Sequence, residues 1–317
     1  MTSTLPQEVR DALERFVTCE LTTVDAAKQP ITWPVTPYYT QGGATIDVTT
    51  GLGYPKKADD AARHPSVALL FSDATGSGID SGIRVLVQGT ASIDDRDLKA
   101  NADRYLRESA VKLPATRRMH PPKPIRGIFN FYYARLYIKV RPERIFVWPE
   151  GDLAEEPVIH GAHLEEVRSG HAEEPPEDHG GPADGSPAWD RRMASLAEYE
   201  TGVLSWLGPD GFPIAVRVPF EADASARQIE VGADPAGLPL IEGRACLTVH
   251  RHSPDFTWQR NMQVRGNLAR SGEGWRLVPR RVVGGFELPE GRFSRFRDFI
   301  RKGPGFYRTY RRRLRER

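Results

Sequence analysis

The sequence has 317 residues, which gives room for one large domain or two domains of ordinary size. With 39% hydrophobic and 27% charged residues it can build buried cores, and it has no apolar run of the roughly 18 residues that predicts a transmembrane helix. Its start lacks the basic and apolar regions of a secretory signal. Two cysteines, Cys19 and Cys246, cannot form a disulfide framework or a four-thiolate zinc site, so we expect a cytoplasmic protein.

The formal net charge of +2 conceals two segments of opposite sign. Residues 151–187 hold ten acidic residues and one basic residue, whereas residues 292–317 hold eleven basic and two acidic residues. The acidic segment is rich in proline and glycine and poor in large apolar residues, so it predicts an unstructured linker. Its histidines follow no standard metal-ligand spacing, and we expect no metal site there. The linker divides the chain into a first domain, 1–150, and a second domain, 188–317.

The hydrophobic pattern predicts that both domains are mainly β with flanking helices, an α+β class. Hairpins with interspersed helices favour an antiparallel barrel in each domain. In the first domain we expect helices near 7–19, 56–63 and 95–109 and strands near 20–25, 31–39, 44–49, 66–72, 83–94 and 135–148. In the second we expect helices near 188–201 and 292–315 and strands near 203–207, 213–220, 227–232, 245–252, 258–269 and 275–279.

Three blocks of the first domain match blocks of the second in order and spacing. Glu20–Tyr39 matches Val203–Ala222 without a gap, at a shift of 183 residues. The other two matches, at shifts of 178 and 177 residues, are Val67–Phe71 with Ala245–Val249 and Val87–Ala91 with Val264–Leu268. The repeated order predicts two tandem barrels.

A series of motifs in the first domain occurs in the order of a known protein family. In chain order these are the turn Lys28-Gln29-Pro30, a strand ending in Thr49-Thr50-Gly51, a short helix opened by lysine before His64-Pro65-Ser66-Val67-Ala68-Leu69, and the strand Val87–Ala91. The stretch resembles the pyridoxamine-phosphate-oxidase-like family of flavin-binding split β-barrels. It departs from that family at Asp60-Ala61, where Asn-Leu is usual, and at Pro55, where serine or arginine is usual. The resemblance implies two tandem split barrels, of a type that normally pairs as homodimers around the cofactor.

The segment before the short helix has the composition of a phosphate-binding loop. Thr49 and Thr50 supply hydroxyls, Gly51 lets backbone N–H groups approach, and Lys56 and Lys57 supply charge at a helix N-terminus. An ordinary solvated loop with two surface lysines is the alternative. The resemblance favours phosphate binding, with Lys57 as the stronger candidate and Lys56 directed to solvent or to a longer anionic tail.

The resemblance also implies that a flavin ring lies against the edge of the first barrel. The backbone contacts are then expected from Trp33, Pro34, Val35 and Thr36, and the side-chain contacts from Arg84, Val85 and Gln88. Trp33 is equally compatible with a core or surface position.

The second domain lacks a lysine at the corresponding loop, so we expect that it has lost the phosphate site. It would instead pair with the first barrel inside the chain and form the other wall of a single cofactor site. Candidates for that wall include His250, His252 and Trp258. Residues two apart on a strand share a face, so the two imidazoles can transfer protons, stack on a ring or ligate haem iron. The alternative is two histidines on a solvent-facing surface.

The basic C-terminal segment interleaves arginine with phenylalanine and tyrosine. This composition suits nucleic acid, because arginine neutralises phosphate and aromatic rings stack on bases. However, Phe293, Phe296, Phe299 and Ile300 lie close to helical spacing. We therefore expect a helix packed on a barrel, with its arginines solvated or paired with the acidic linker, and no nucleic-acid partner.

These observations predict a flavin-dependent oxidoreductase that binds FMN and a small-molecule substrate, without membrane insertion. The alternatives are a reductase that uses the deazaflavin coenzyme F-420 and a non-catalytic flavin- or haem-binding protein. No nucleophile–base motif is present, so the sequence identifies no catalytic residue. Pairing of the barrels within the chain or as a homodimer remains open.

Overall fold

The computed structural model describes residues 5–40, 42–120, 127–161, 187–232, 234–272, 274–284, 288 and 292–317. In the last of these ranges, it describes the side chains of residue 297 and residues 301–317. Most of the predicted linker, residues 162–186, lies outside the described residues. Among the described residues, no helix combines the length and the apolar composition that crossing a membrane requires.

The first half of the chain forms a seven-stranded antiparallel sheet. Six strands follow the order β2-β1-β4-β5-β6-β3, and β7 pairs with β6. An isolated bridge between Tyr38 and Asp47 also joins the chain after β2 to β3, so the sheet curves towards closure. The strands are β1 (Cys19–Val24), β2 (Pro30–Val35), β3 (Ile46–Gly51), β4 (Ser66–Phe71), β5 (Arg84–Asp94), β6 (Arg135–Trp148) and β7 (Val158–Gly161).

The second half forms a closed six-stranded barrel in the order β10-β13-β12-β11-β8-β9. Starting from β9, this is the strand order of the first sheet, so the two halves are tandem barrels of one topology. The strands are β8 (Thr201–Leu207), β9 (Pro213–Asp223), β10 (Gln228–Val231), β11 (Gly243–His252), β12 (Gln259–Ser271) and β13 (Gly274–Gly284).

A glycine bulge recurs in the two barrels at the same point. The register shifts between Gln88 and Gly89 in β5 and between Arg265 and Gly266 in β12. A Cβ atom on Gly89 would lie 2.2 Å from the carbonyl oxygen of Arg141, and one on Gly266 would lie 2.1 Å from that of Val278. Each bulge therefore requires glycine, because any side chain would collide with the neighbouring strand.

Helices flank the barrels, with some differences from the sequence prediction. The α-helices are α1 (Gln7–Arg15), α2 (Lys56–Arg63), α3 (Leu98–Lys112), α4 (Asn130–Tyr133) and α5 (Arg292–Arg315). The helix expected to extend to Cys19 ends at Arg15, and Cys19 begins β1 instead. The helix expected near 188–201 is a 3-10 helix, Arg191–Glu198, in which the Asp190 carboxylate accepts from the backbone N–H of Arg192.

Each barrel has its own apolar core, and the core of the second barrel continues onto the outer face of the first. Buried residues such as Leu21, Val87 and Ile138 fill the first barrel. Leu70 and Trp148 face the other way and pack with the cluster that fills the second barrel. This division follows from the alternation of side chains along a strand, because neighbouring residues point to opposite faces.

Polar contacts complete this interface within the chain. The hydroxyls of Thr32 and Ser205 lie 2.7 Å apart, and Gln88 Nε2 donates to the Pro213 carbonyl at 2.9 Å. The fully buried carboxylate of Glu20 has its Oε1 atom 2.8 Å from Arg217 NH2 and 2.6 Å from His250 Nε2. An acid of the first barrel is thus neutralised by bases of the second.

We expect Arg217→Gln to destabilise the protein by about 3–5 kcal/mol, because it removes a charged partner of a buried carboxylate. The double variant Glu20→Gln with Arg217→Gln should lose less than the single variant, since no buried charge then lacks its partner. Urea unfolding of the three proteins measures both differences. Arg260→Gln, an exposed change on the same barrel, is the control and should change stability by less than about 0.5 kcal/mol. Equal losses for the single and double variants would contradict this role of Glu20.

Candidate functional site

The loop between β3 and α2 carries the predicted lysines. The chain leaves β3 at Gly51, turns with a hydrogen bond from Tyr54 N to the Gly51 carbonyl, and enters α2 at Lys56. Lys56 is half exposed, and its ammonium lies 2.9 Å from Asp60 and 3.9 Å from Asp25. Its charge is therefore largely used in local ion pairs.

Lys57 differs from Lys56 in both position and partners. It is half-buried, and its Nζ atom lies 5.4 Å from the centre of the Trp33 ring. Among the described residues, no carboxylate lies within ion-pair distance of this ammonium. Burial, with a smaller contribution from the nearby positive charge of Arg135, lowers the pKa of Lys57 to about 8. Within the described part of the chain, Lys57 is thus a cation without a carboxylate partner.

Arg135, the first residue of β6, is a second such cation. Its guanidinium is buried and lies 3.9 Å from the centre of the Tyr105 ring and 4.6 Å from that of Tyr132. NH1 donates to the Tyr54 hydroxyl at 2.9 Å, and the buried Nε has no hydrogen-bond partner in the described part of the chain. The sequence analysis missed Arg135, because its aromatic neighbours come from distant segments and follow no spacing rule.

Other groups expected to face a phosphate have different partners in the structure. The hydroxyl of Thr49 donates to the Leu136 carbonyl at 2.8 Å, and that of Thr50 donates to the Tyr54 carbonyl at 3.0 Å. Gly51 is needed for packing, since a Cβ atom there would lie 2.8 Å from the Tyr54 ring. The hydroxyls of Thr49 and Thr50 would have to break these hydrogen bonds before they could donate to an anion.

The strand expected to contact a flavin ring is the edge strand of its sheet. Trp33 and Val35 face the core of the first barrel, and Thr36 follows the end of β2. Pro34 lies across from Glu20 in the β1–β2 register and carries no backbone N–H. The outer edge of β2 at this position therefore offers a carbonyl acceptor but no donor.

The three residues expected to supply side-chain contacts point in two directions. Val85 lies in the core of the first barrel. Arg84 NH1 donates to the Arg217 carbonyl at 2.9 Å, and Gln88 donates to the second barrel as described above. Both polar side chains thus hold the two barrels together.

The two histidines lie on one face of β11, as expected, and both are buried. The alternative of a solvent-facing pair is therefore wrong. Their rings are parallel to within 2°, with centres 6.4 Å apart. His252 Nε2 lies 3.1 Å from Thr18 Oγ1 and 3.5 Å from Asp73 Oδ2. No described contact joins either histidine to the loop that carries Lys57.

Trp258 lies in the turn between β11 and β12, where its carbonyl accepts from Ser253 N at 3.1 Å. A cavity of about 420 Å³ opens beside the histidine cluster and is lined in part by Ser72, Asp73, Arg217 and His250. In the described part of the chain, no cluster of histidine, cysteine or acidic side chains could hold a metal ion.

The second barrel also presents a buried guanidinium to β2, which the sequence analysis did not select. Arg265 NH2 donates to Gln263 Oε1 at 2.9 Å, and Gln263 Nε2 in turn donates to the Thr32 carbonyl. Burial lowers the pKa of Arg265.

The first half of the chain combines a curved antiparallel sheet that ends at an edge strand with a helix that begins at a lysine after β3. Residues 5–128 of this chain match the family model of pyridoxamine 5'-phosphate oxidase. The fold of this family is of the flavin-binding, oxidoreductase type.

Solved structures are similar over about half of the chain. General stress protein 26 of Bacillus anthracis is 17% identical; the match covers 49% of this chain and 100% of that one, with a TM-score of 0.32. An F-420 reductase is 20% identical over 44% of this chain and 98% of that one, with a TM-score of 0.33. ChuZ of Campylobacter jejuni is 13% identical over 49% of this chain and 58% of that one, with a TM-score of 0.36. The comparison with curated proteins finds no match.

The acids and the histidine at the barrel interface make stability depend on pH. Burial opposes ionisation of Glu20 and Asp73, but hydrogen bonds and nearby positive charges outweigh it and hold the pKa of each carboxyl below its usual value. Burial lowers the pKa of His252 below 6.5. A group with a depressed pKa stabilises the fold above its unfolded pKa and loses that contribution as the pH falls through its folded pKa.

We therefore expect the free energy of unfolding to fall on acidification, first below about pH 6.5 through His252 and then below about pH 4.5 through the carboxylates. His252→Gln should remove the loss between pH 7 and 5, because glutamine does not titrate. Urea unfolding across this range measures the effect. His64→Gln, which lies outside the interface, is the matched control. If the free energy of unfolding of His252→Gln falls between pH 7 and 5 as much as that of the wild type, another group causes this pH dependence.

Proposed function

We propose that the chain is a flavin-dependent oxidoreductase and that the phosphate of its cofactor, FMN, binds at Lys57 and Arg135. The first barrel would carry the phosphate site, and the second barrel would form the other wall of a single site. The proposal combines the family assignment of the first barrel with the charges around α2.

The observation that carries the proposal is a pair of cations, Lys57 and Arg135, that have no carboxylate partner among the described residues. An ion buried without a partner costs several kcal/mol, so proteins retain one where a ligand or another group completes it. Lys57 and Arg135 are surrounded by aromatic rings and phenol hydroxyls instead of carboxylates. A phosphate has the negative charge and the acceptor oxygens that both side chains require.

The residues present fit the phosphate end of a flavin nucleotide. Lys57 is the second residue of α2, in its first turn, where the helix dipole also favours an anion. Trp33 lies beside Lys57 and offers an aromatic face, and the outer edge of β2 offers the Pro34 carbonyl. A flavin would supply the hydride chemistry, and the protein would bind it, orient it and exclude water.

We expect Lys57→Ala to weaken FMN binding by about 10- to 100-fold, since a charge-assisted hydrogen bond contributes about 1.5–3 kcal/mol. Titration of the apo-protein, followed by flavin fluorescence, measures the affinity. Lys56→Ala is the matched control, because Lys56 is already paired with Asp60, and it should change the affinity less than threefold. Equal effects of the two substitutions would contradict the assignment of Lys57.

The pKa of Lys57 gives an independent test. Phosphate binds the protonated lysine, so affinity should fall as the pH rises above about 8, by up to about tenfold per pH unit. The Lys57→Arg variant stays charged and should show a flat profile in this range. If the FMN affinity of the wild-type protein is also independent of pH between about 7 and 9.5, Lys57 does not contact the bound phosphate.

The stoichiometry tests the role of the second barrel. Binding of one FMN per monomeric chain supports a single site between two barrels of one chain. Two per chain, or binding only by a homodimer, would contradict it. Parallel titrations with coenzyme F-420 and with haem identify the cofactor class, and tight binding of either one without FMN would replace the flavin assignment.

A further inference from the structure

The helix α5 crosses from the second half of the chain onto the first barrel. Phe306 stacks on Phe131 with ring centres 5.9 Å apart and contacts Tyr54 edge-on at 5.5 Å. Tyr310 packs against the core of the first barrel, and Arg313 forms an ion pair with Asp59 of α2. The apolar side of the described part of α5 is therefore already used.

The opposite side of the same helix is a stripe of arginine. At 3.6 residues per turn, the side chains at this side fall within an arc of about 100°, facing away from Phe306, Tyr310 and Arg313. This side consists of five exposed arginines: Arg301, Arg308, Arg311, Arg312 and Arg315. Arg312 pairs with Glu316 at 3.7 Å, whereas Arg308, Arg311 and Arg315 have no carboxylate partner among the described residues.

We propose that this outer face of α5, defined by Arg308, Arg311, Arg312 and Arg315, binds the phosphate backbone of single-stranded nucleic acid. The sequence argued against such a partner, because the aromatic residues of this segment were expected to pack. In the structure, the aromatic residues that pack on the first barrel and the exposed arginines lie on opposite sides of one helix. Packing of the aromatic residues therefore leaves the arginines accessible to nucleic acid. Arg311 and Arg312 each lie 3 or 4 residues from both Arg308 and Arg315, which corresponds to about 4.5–6 Å along the helix axis.

Two features favour nucleic acid over other anionic partners. The charges on this face are all guanidinium groups, which bind phosphate oxygens in a bidentate manner. Tyr307 lies at the border of the stripe and is 43% exposed, so a base can stack on its ring. A membrane surface is disfavoured, because an interfacial helix must insert an apolar face, and in the part of α5 with described side chains Phe306 and Tyr310 pack on the first barrel.

The test is fluorescence anisotropy of a labelled 20-nucleotide mixed-sequence single strand, titrated with the full chain at several salt concentrations. Four phosphate contacts predict a slope of log K against log salt of about −3. The triple variant Arg308→Gln, Arg311→Gln, Arg315→Gln should reduce this slope to about −1 and weaken binding at low salt by at least about tenfold. Replacing the same three residues by lysine should preserve most of the slope.

The control triple variant is Arg96→Gln, Lys99→Gln, Arg107→Gln, which removes the same charge from exposed positions in and beside α3. It should leave the slope unchanged. An equal loss in both triple variants would show a net-charge effect and overturn the proposal, as would no binding. Equal affinity for polyglutamate, or binding confined to anionic phospholipid vesicles, would also overturn it. Circular dichroism and melting temperature establish that each variant is folded, and FMN titration of the same variants keeps this test separate from the cofactor site.

Discussion

The buried carboxylate of Glu20 is the constraint on which the arrangement of the two barrels depends. It lies on a face that the second barrel covers, and its partners, the Arg217 guanidinium and the His250 imidazole, both come from that barrel. A buried ion pair adds little net stability, yet either partner alone is costly. The main effect of this cluster is therefore specificity, because it admits only an orientation that brings a base to each side of Glu20.

The contacts of Glu20 also favour the second barrel over another copy of the first barrel as the partner of the first barrel. In the sequence alignment of the halves, Pro34 corresponds to Arg217 and Ser72 corresponds to His250. If two copies of the first barrel met in the same way, Glu20 would face a proline and a serine, and its charge would have no cation. The divergence of these positions thus favours pairing within one chain over pairing of two first barrels, which is the choice that the sequence pattern alone left open.

Much of the fold could be predicted from sequence because its signals are local. The match between Val87–Ala91 and Val264–Leu268 points to the glycine bulge, where backbone contacts leave no room for a side chain. The site was less predictable, because its contacts are not local. The family resemblance selected Arg84 and Gln88 as cofactor contacts, but it could not reveal that both side chains would instead contact the second barrel. Arg135 was missed for a similar reason, since Tyr54 and Tyr105 become its neighbours only in the folded chain.

The charged residues at the barrel interface and those around α2 differ in the partners that surround them. At the barrel interface Glu20 and Asp73 each lie beside a basic side chain of the second barrel, so these two acids have partners within the protein. Around α2 the position is reversed, because Lys57 and Arg135 have aromatic rings and a phenol hydroxyl where counter-ions would be expected. The cost of that arrangement is reduced by the lowered pKa of Lys57 and by stacking of the Arg135 guanidinium on tyrosine rings. Neither effect supplies negative charge, and this missing charge is the reason for proposing a phosphate site at Lys57 and Arg135.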